Sequence, residues 1–184
     1  DVCSSDLGTG GTIQVATDTL NIKGGSQLST AASGTGKAGN IQINTDASRD
    51  LMIGFDLDSQ KGSAINSKTT AVGDGGLISL GNSSKALTIV GYGSITAATQ
   101  GGGKGGDINL KGSTIQMSQT STTAQTSGSG RGGTITVNAG SVRLDQGAEL
   151  TTRSGVEDPK VAGAATGAAG RIEITAKGQD GVTL

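Results

Sequence analysis

The stretch Gly130–Leu150, GRGGTITVNAGSVRLDQGAEL, contains the repeating unit of the whole chain. A tight glycine turn, Gly130–Gly133, leads into Ile135-x-Val137. A short turn then leads to Val142-x-Leu144, and a second, glycine-containing turn leads to Leu150. One polar residue separates the members of each apolar pair, the period-2 pattern of a strand with one buried face.

Working outward, the turn Gly-x-(Gly/Ala)-Gly-x-Ile recurs six times, beginning at Gly8, Gly36, Gly73, Gly103, Gly130 and Gly167. The spacings are 28, 37, 30, 27 and 37 residues. A first strand follows each turn: Ile13/Val15, Ile41/Ile43, Ile78/Leu80, Ile108/Leu110, Ile135/Val137 and Ile172/Ile174. A second strand follows at Leu20/Ile22, Leu51/Ile53, Leu87/Ile89, Ile115/Met117, Val142/Leu144 and Val182/Leu184. A third apolar position follows at Leu28, Ile65, Ile95 and Leu150, and in the fourth copy it falls near Thr123.

Three short strands per unit of this length, with no helical period between them, predict an all-β fold. The fold expected is a single-stranded parallel β-helix, or solenoid, of about six coils with three short strands per coil. Equivalent strands then stack ~4.8 Å apart. The residues between the apolar positions of the first strand (Gln14, Gln42, Ser79, Asn109, Thr136 and Glu173) are polar and are expected outside. Inward aliphatics suit a narrow interior. Glycines are expected where the coil turns sharply and successive backbones approach closely. A lone coil buries too little to hold itself, so stability is collective and terminal coils need caps. Neither end of the sequence reads as capped, and Leu184 falls in mid-coil.

Composition is compatible with this reading. The 184 residues include 34 Gly, one Pro (Pro159), one Phe (Phe55), one Tyr (Tyr92), and neither Trp nor His. The ordered placement of Ile, Leu and Val argues against the disorder that so few aromatics could otherwise imply. Residues Asp1–Leu7 fit no repeat, and they can be back-translated into the end of a common sequencing adapter. They read as non-native and are set aside, so Cys3 carries no information about redox compartment. Without Asp1 and Asp6, the 15 acidic residues become 13 against 14 basic ones, a net charge of +1. The charges do not cluster, so neither a nucleic-acid partner nor an acidic tail is implied. No apolar run is long enough to span a bilayer as a helix.

Two coils carry extra length, and solenoid insertions emerge as exterior loops. One insertion occupies Asp46–Asp50 and Gly54–Ala64; the other occupies Gly155–Thr166. Phe55, Asp56, Asp58 and Lys61 in the first, with Glu157, Asp158 and Lys160 in the second, are the expected partner contacts.

The segments Gly36–Ile43 (GKAGNIQI) and Gly140–Leu150 (GSVRLDQGAEL) resemble the filamentous-haemagglutinin-like exoproteins of the two-partner-secretion type. The resemblance extends over essentially Gly8–Leu184. It implies a right-handed β-helical shaft, export through an outer-membrane transporter partner, and display at the cell surface as part of an adhesin. The surface bound would be that of a host, a neighbouring cell or a glycan. The family's secretion domain carries Asn-Pro-Asn-type motifs, and none occurs here, so the chain resembles a stretch of shaft.

Other chemistries fit the residues less well. Gly102–Asp107 (GGKGGD) matches the start of a calcium-binding β-roll repeat, but Thr12, Asn40, Leu77, Thr134 and Arg171 occupy the positions equivalent to Asp107. A polar corner is the simpler reading, and no metal or cofactor is expected. Gly101-x-Gly103-x-x-Gly106 fits a dinucleotide loop, yet a strand follows where a helix N-terminus is needed. A carbohydrate-active β-helix, lyase or hydrolase, would draw its carboxylates from Asp56, Asp58, Asp145 and Glu149. The lack of His and near-lack of aromatics disfavour it, and a non-enzymatic role is expected. An ice- or surface-binding ladder of Ser29, Asn66, Thr96 and Thr151 is a third reading, with a break expected at the fourth coil.

Overall fold

The computed structural model describes residues 2–6, 8–44, 50–55, 62–70, 72–155 and 167–184. Fourteen β-strands and no helix occur among them. The strands are β1 Val2–Asp6, β2 Thr12–Val15, β3 Thr19–Ile22, β4 Gln27–Ala32, β5 Asn40–Ile43, β6 Leu51–Phe55 and β7 Ser63–Thr69. After these come β8 Leu77–Gly81, β9 Leu87–Thr99, β10 Asp107–Thr126, β11 Thr134–Asp145, β12 Glu149–Ser154, β13 Arg171–Ala176 and β14 Val182–Thr183. Each strand pairs in parallel with its equivalent one repeat away, which makes the fold a parallel β-helix.

Three faces result. The first stacks β2, β5, β8, the start of β10, the start of β11, and β13. The second stacks β3, β6 and parts of β9, β10 and β11, ending at β14. The third stacks β1, β4, β7, the ends of β9 and β10, and β12. The 20-residue β10 runs through all three faces without an intervening loop, turning at Gly112 and at Gln119, whose φ is 59°. Residues 2–6, set aside in the sequence reading, run parallel to Leu28–Ala32 as an added strand of the third face.

The expected aliphatic columns are present. Ile13, Ile41, Ile78, Ile108, Ile135 and Ile172 pair coil to coil in a single file. The four middle members have no solvent exposure, whereas Ile172, on the last coil of this chain, is 41% exposed. Leu184 of the same coil lies outside the stack and is exposed.

Two registers differ from expectation. Leu20 pairs with Ile53 and Ile22 with Phe55, so the second strand of the first coil is displaced by two residues from the expected alignment with Leu51/Ile53. A shift of two preserves which side chains point inward, so apolar alternation cannot reveal it. In the fourth coil, Thr122 rather than Thr123 is inward, paired between Ile95 and Leu150. No aliphatic marks the parity of that strand in sequence. Thr122 is fully buried, and its Oγ1 has no hydrogen-bond partner.

The glycine turns form two continuous columns at the corner between the third and first faces. In one, a Cβ on Gly39, Gly76, Gly106, Gly133 or Gly170 would lie 1.8–2.3 Å from the preceding coil's Gly11, Gly39, Gly76, Gly106 or Gly133 carbonyl oxygen. In the other, a Cβ on Gly36, Gly73, Gly103, Gly130 or Gly167 would lie 1.7–2.3 Å from the carbonyl oxygen of Gly8, Gly36, Gly73, Gly103 or Gly130. Backbone on backbone leaves no room there for any side chain. Between the columns, the Gly10, Ala38, Gly75, Gly105 and Gly132 amides donate to Lys37, Asp74, Lys104, Arg131 and Ala168 carbonyls of the next coil at 2.8–2.9 Å. Inward hydroxyls tie the third face to the same corner. Ser67, Thr99 and Ser154 donate to the Gly39, Gly73 and Gly130 carbonyls at 2.7, 2.9 and 2.8 Å.

Two substitutions test these contacts. Gly133→Ala should destabilise by about 4 kcal/mol or more, because backbone must move. Gly8→Ala, at the first turn with nothing within 4 Å of its Cβ position, should stay within roughly 0.5 kcal/mol by denaturant titration. Equal losses would refute the stacked-glycine account. Thr122→Val removes an unsatisfied buried hydroxyl at nearly constant shape, and should raise stability by about 1 kcal/mol or more. A lower denaturation midpoint would count against it.

Candidate functional site

The expected contact loops lie mostly outside the described residues. That holds for Asp56, Asp58, Lys61, Glu157, Asp158 and Lys160, leaving Phe55 as the member whose environment is defined. It ends β6 and is 3% exposed. Its ring lies over Gly93 of the next coil, where a Cβ would fall 2.0 Å from the ring. Phe55 is therefore an interior side chain accommodated by a missing one, which corrects the expectation that it meets a partner. The sequence held a clue in Gly91 and Gly93, two glycines on the neighbouring strand one coil on.

Of the acids weighed for catalysis, Asp145 and Glu149 are among the described residues, and each is hydrogen-bonded to a neighbour. Asp145 receives a hydrogen bond from Arg143 Nε at 2.5 Å. That bond, reinforced by the carboxylate's charge, holds the Arg143 guanidinium above its ordinary pKa. Glu149 accepts from the Thr151 hydroxyl at 2.5 Å. Asp107, the acid of the calcium-like motif, accepts from the Thr134 amide of the next coil at 2.9 Å, and both of its oxygens lie 2.9 Å from Lys104 Nζ. It is a corner brace. Two shallow clefts, of about 380 and 420 Å³, sit where the first face turns into the second. Polar groups including Gln42, Ser79, Asn82 and Lys111 line one, and Asp18, Asp50 and Thr88 line the other. Asp50 accepts there from the Ala86 amide at 2.8 Å.

The exterior of the third face is the most regular surface. Ser29, Asn66, Thr96, Thr123 and Thr151 pair coil to coil and form one outward column. The break expected at the fourth coil is absent, because Thr123 takes the outward place that Thr122 leaves. Each residue of the column is half-buried. Two residues earlier on each strand stand Gln27, Ala64, Ser94, Ser121 and Glu149, and two residues later stand Ala31, Lys68, Ala98, Gln125 and Arg153. Short side chains predominate, above all in the middle coils, so the surface is low and even. The outward first-face row is mixed in length, carrying Gln14, Gln42, Ser79, Asn109, Thr136 and Glu173, with Gln14 Nε2 donating to Gln42 Oε1 at 3.0 Å.

No protein-family profile, curated protein or solved structure matches the chain.

Phe55→Ala should cost about 3–5 kcal/mol of stability, as expected for emptying a buried aromatic site. A change near zero in thermal or denaturant unfolding would return Phe55 to the surface.

Proposed function

We propose that the chain is a structural shaft segment of a large secreted bacterial surface adhesin, and that it is not an enzyme. The supporting observation is the unbroken coil-to-coil register of the Ile13–Ile172 column. A cross-section that repeats with a fixed inward set can be extended coil by coil. Its product is length and stiffness rather than a cleft. The glycine turns and the Gly36–Ile43 and Gly140–Leu150 patterns support the same reading through their resemblance to filamentous-haemagglutinin-like exoproteins. On that reading the chain leaves the cell through an outer-membrane transporter, and lies outside the outer membrane facing a host, neighbouring-cell or glycan surface. Asp56, Asp58, Lys61, Glu157, Asp158 and Lys160, within the inserted segments Gly54–Ala64 and Gly155–Thr166, are the proposed contacts.

Antibodies raised against the purified chain should label intact cells of the source organism. Labelling only after permeabilisation would sink the surface assignment. On cells that are labelled, replacing both loops by short glycine–serine turns should lower adhesion while labelling persists. Unchanged adhesion would remove the loops from the account and leave the shaft standing.

A further inference from the structure

The third face has a property that its individual residues do not show. Take a two-fold axis parallel to the stacking direction and in front of the Ser29–Asn66–Thr96–Thr123–Thr151 column. Each member of that column then faces its own copy. Every residue two positions before the column faces the residue two positions after it on the same coil of the second molecule. Glu149 thus meets Arg153 of the second copy, and Arg153 meets Glu149, giving two symmetry-related ion pairs on the fifth coil. Ser121 meets Gln125, Ser94 meets Ala98, and Ala64 meets Lys68. No like charges oppose one another. The other two-fold, parallel to the strands, would set Glu149 against Gln27 and Arg153 against Ala31 when β4 to β12 overlap, so neither charge would face an opposite one across the seam.

We propose that the third face is a self-pairing surface, through which two copies of this chain lie side by side and point the same way. Symmetric pairing of one patch with itself is the commonest route to a soluble dimer. Short side chains on both faces let the sheets approach closely, with hydroxyls bridging directly or through water. The face also has few of the long charged side chains that usually keep sheet surfaces apart. Five coils at ~4.8 Å by about five residues of strand at ~3.3 Å give roughly 400 Å² per copy. That is half of the ~800 Å² per partner in a standard stable interface. Association at this length is therefore weak, and each further coil of the same kind would add to it. The inference rests on the geometry of the face alone and stands apart from the adhesin reading.

Cysteine placed on the axis reads the pairing directly. In a Cys3→Ser background, Thr123→Cys should form a disulfide-linked dimer under mild oxidation at high protein concentration, and Thr96→Cys should do the same. Gln116→Cys, exposed on the second face, should remain monomeric. By sedimentation equilibrium, Glu149→Arg and Arg153→Glu should each weaken association roughly tenfold. The double exchange Glu149→Arg with Arg153→Glu should restore it. Circular dichroism checks that each variant keeps its strands. The proposal is overturned by equal cross-linking at Gln116, by a double exchange no better than either single one, or by a chain that stays monomeric at every concentration. A monomer that shows thermal hysteresis would mark the face as a binder of an ordered lattice instead.

Discussion

Close approach of backbone to backbone at one corner governs the rest of the structure. Parallel strands stack at a fixed spacing of ~4.8 Å, and the corner has to stack at that same rise while turning the chain from the third face to the first. Two glycine columns solve this by setting each Cα directly over a carbonyl of the coil below. The amides between them then reach the next coil's carbonyls. Once the corner is fixed, the first strand of every coil starts at the same height and with the same parity. That is why Ile13, Ile41, Ile78, Ile108, Ile135 and Ile172 share a column despite repeat lengths from 27 to 37 residues.

The corner also explains which parts could be read in advance. The turn motif announces the first strand, and strict alternation from Ile135 to Val137 assigns its inward side, so the first face was legible in full. Farther from the anchor the reading loosens. On the second face, alternation gives parity but is blind to a slip of two, and Leu20 therefore paired with Ile53 rather than Leu51. On the third face, the segment Ser121–Thr126 (STTAQT) carries no large aliphatic to mark the inside. There the ladder to Ile95 and Leu150 places Thr122, against the cost of a buried hydroxyl. Phe55 illustrates a different limit. A lone aromatic beside an insertion looks like a surface contact until the glycine that receives its ring, Gly93, is found on the next coil.

Interior and exterior answer to different constraints. Inside, every coil must present side chains that fit the coil above and below, so aliphatics dominate two faces, and small residues and inward hydroxyls fill the third. The hydroxyls of Ser67, Thr99 and Ser154 also satisfy glycine-corner carbonyls, which links the third face to the corner that sets the rise. Outside, no such requirement acts. Each face is free to carry its own chemistry: amides and charges on the first, Met52, Gln116 and Arg143 on the second, and a low array of Ser, Thr, Asn and Ala on the third.

That freedom narrows what a chemical group on the exterior can do. The carboxylates of Asp107, Asp145 and Glu149 are each held by a neighbour, with Asp107 bracing one coil against the next. What the repeating exterior offers instead is area and repetition, since successive coils present the same kind of group at the same rise. The even third face shows this best. Its column runs through five coils without a gap because the inward threonine of the fourth coil keeps the next residue outside.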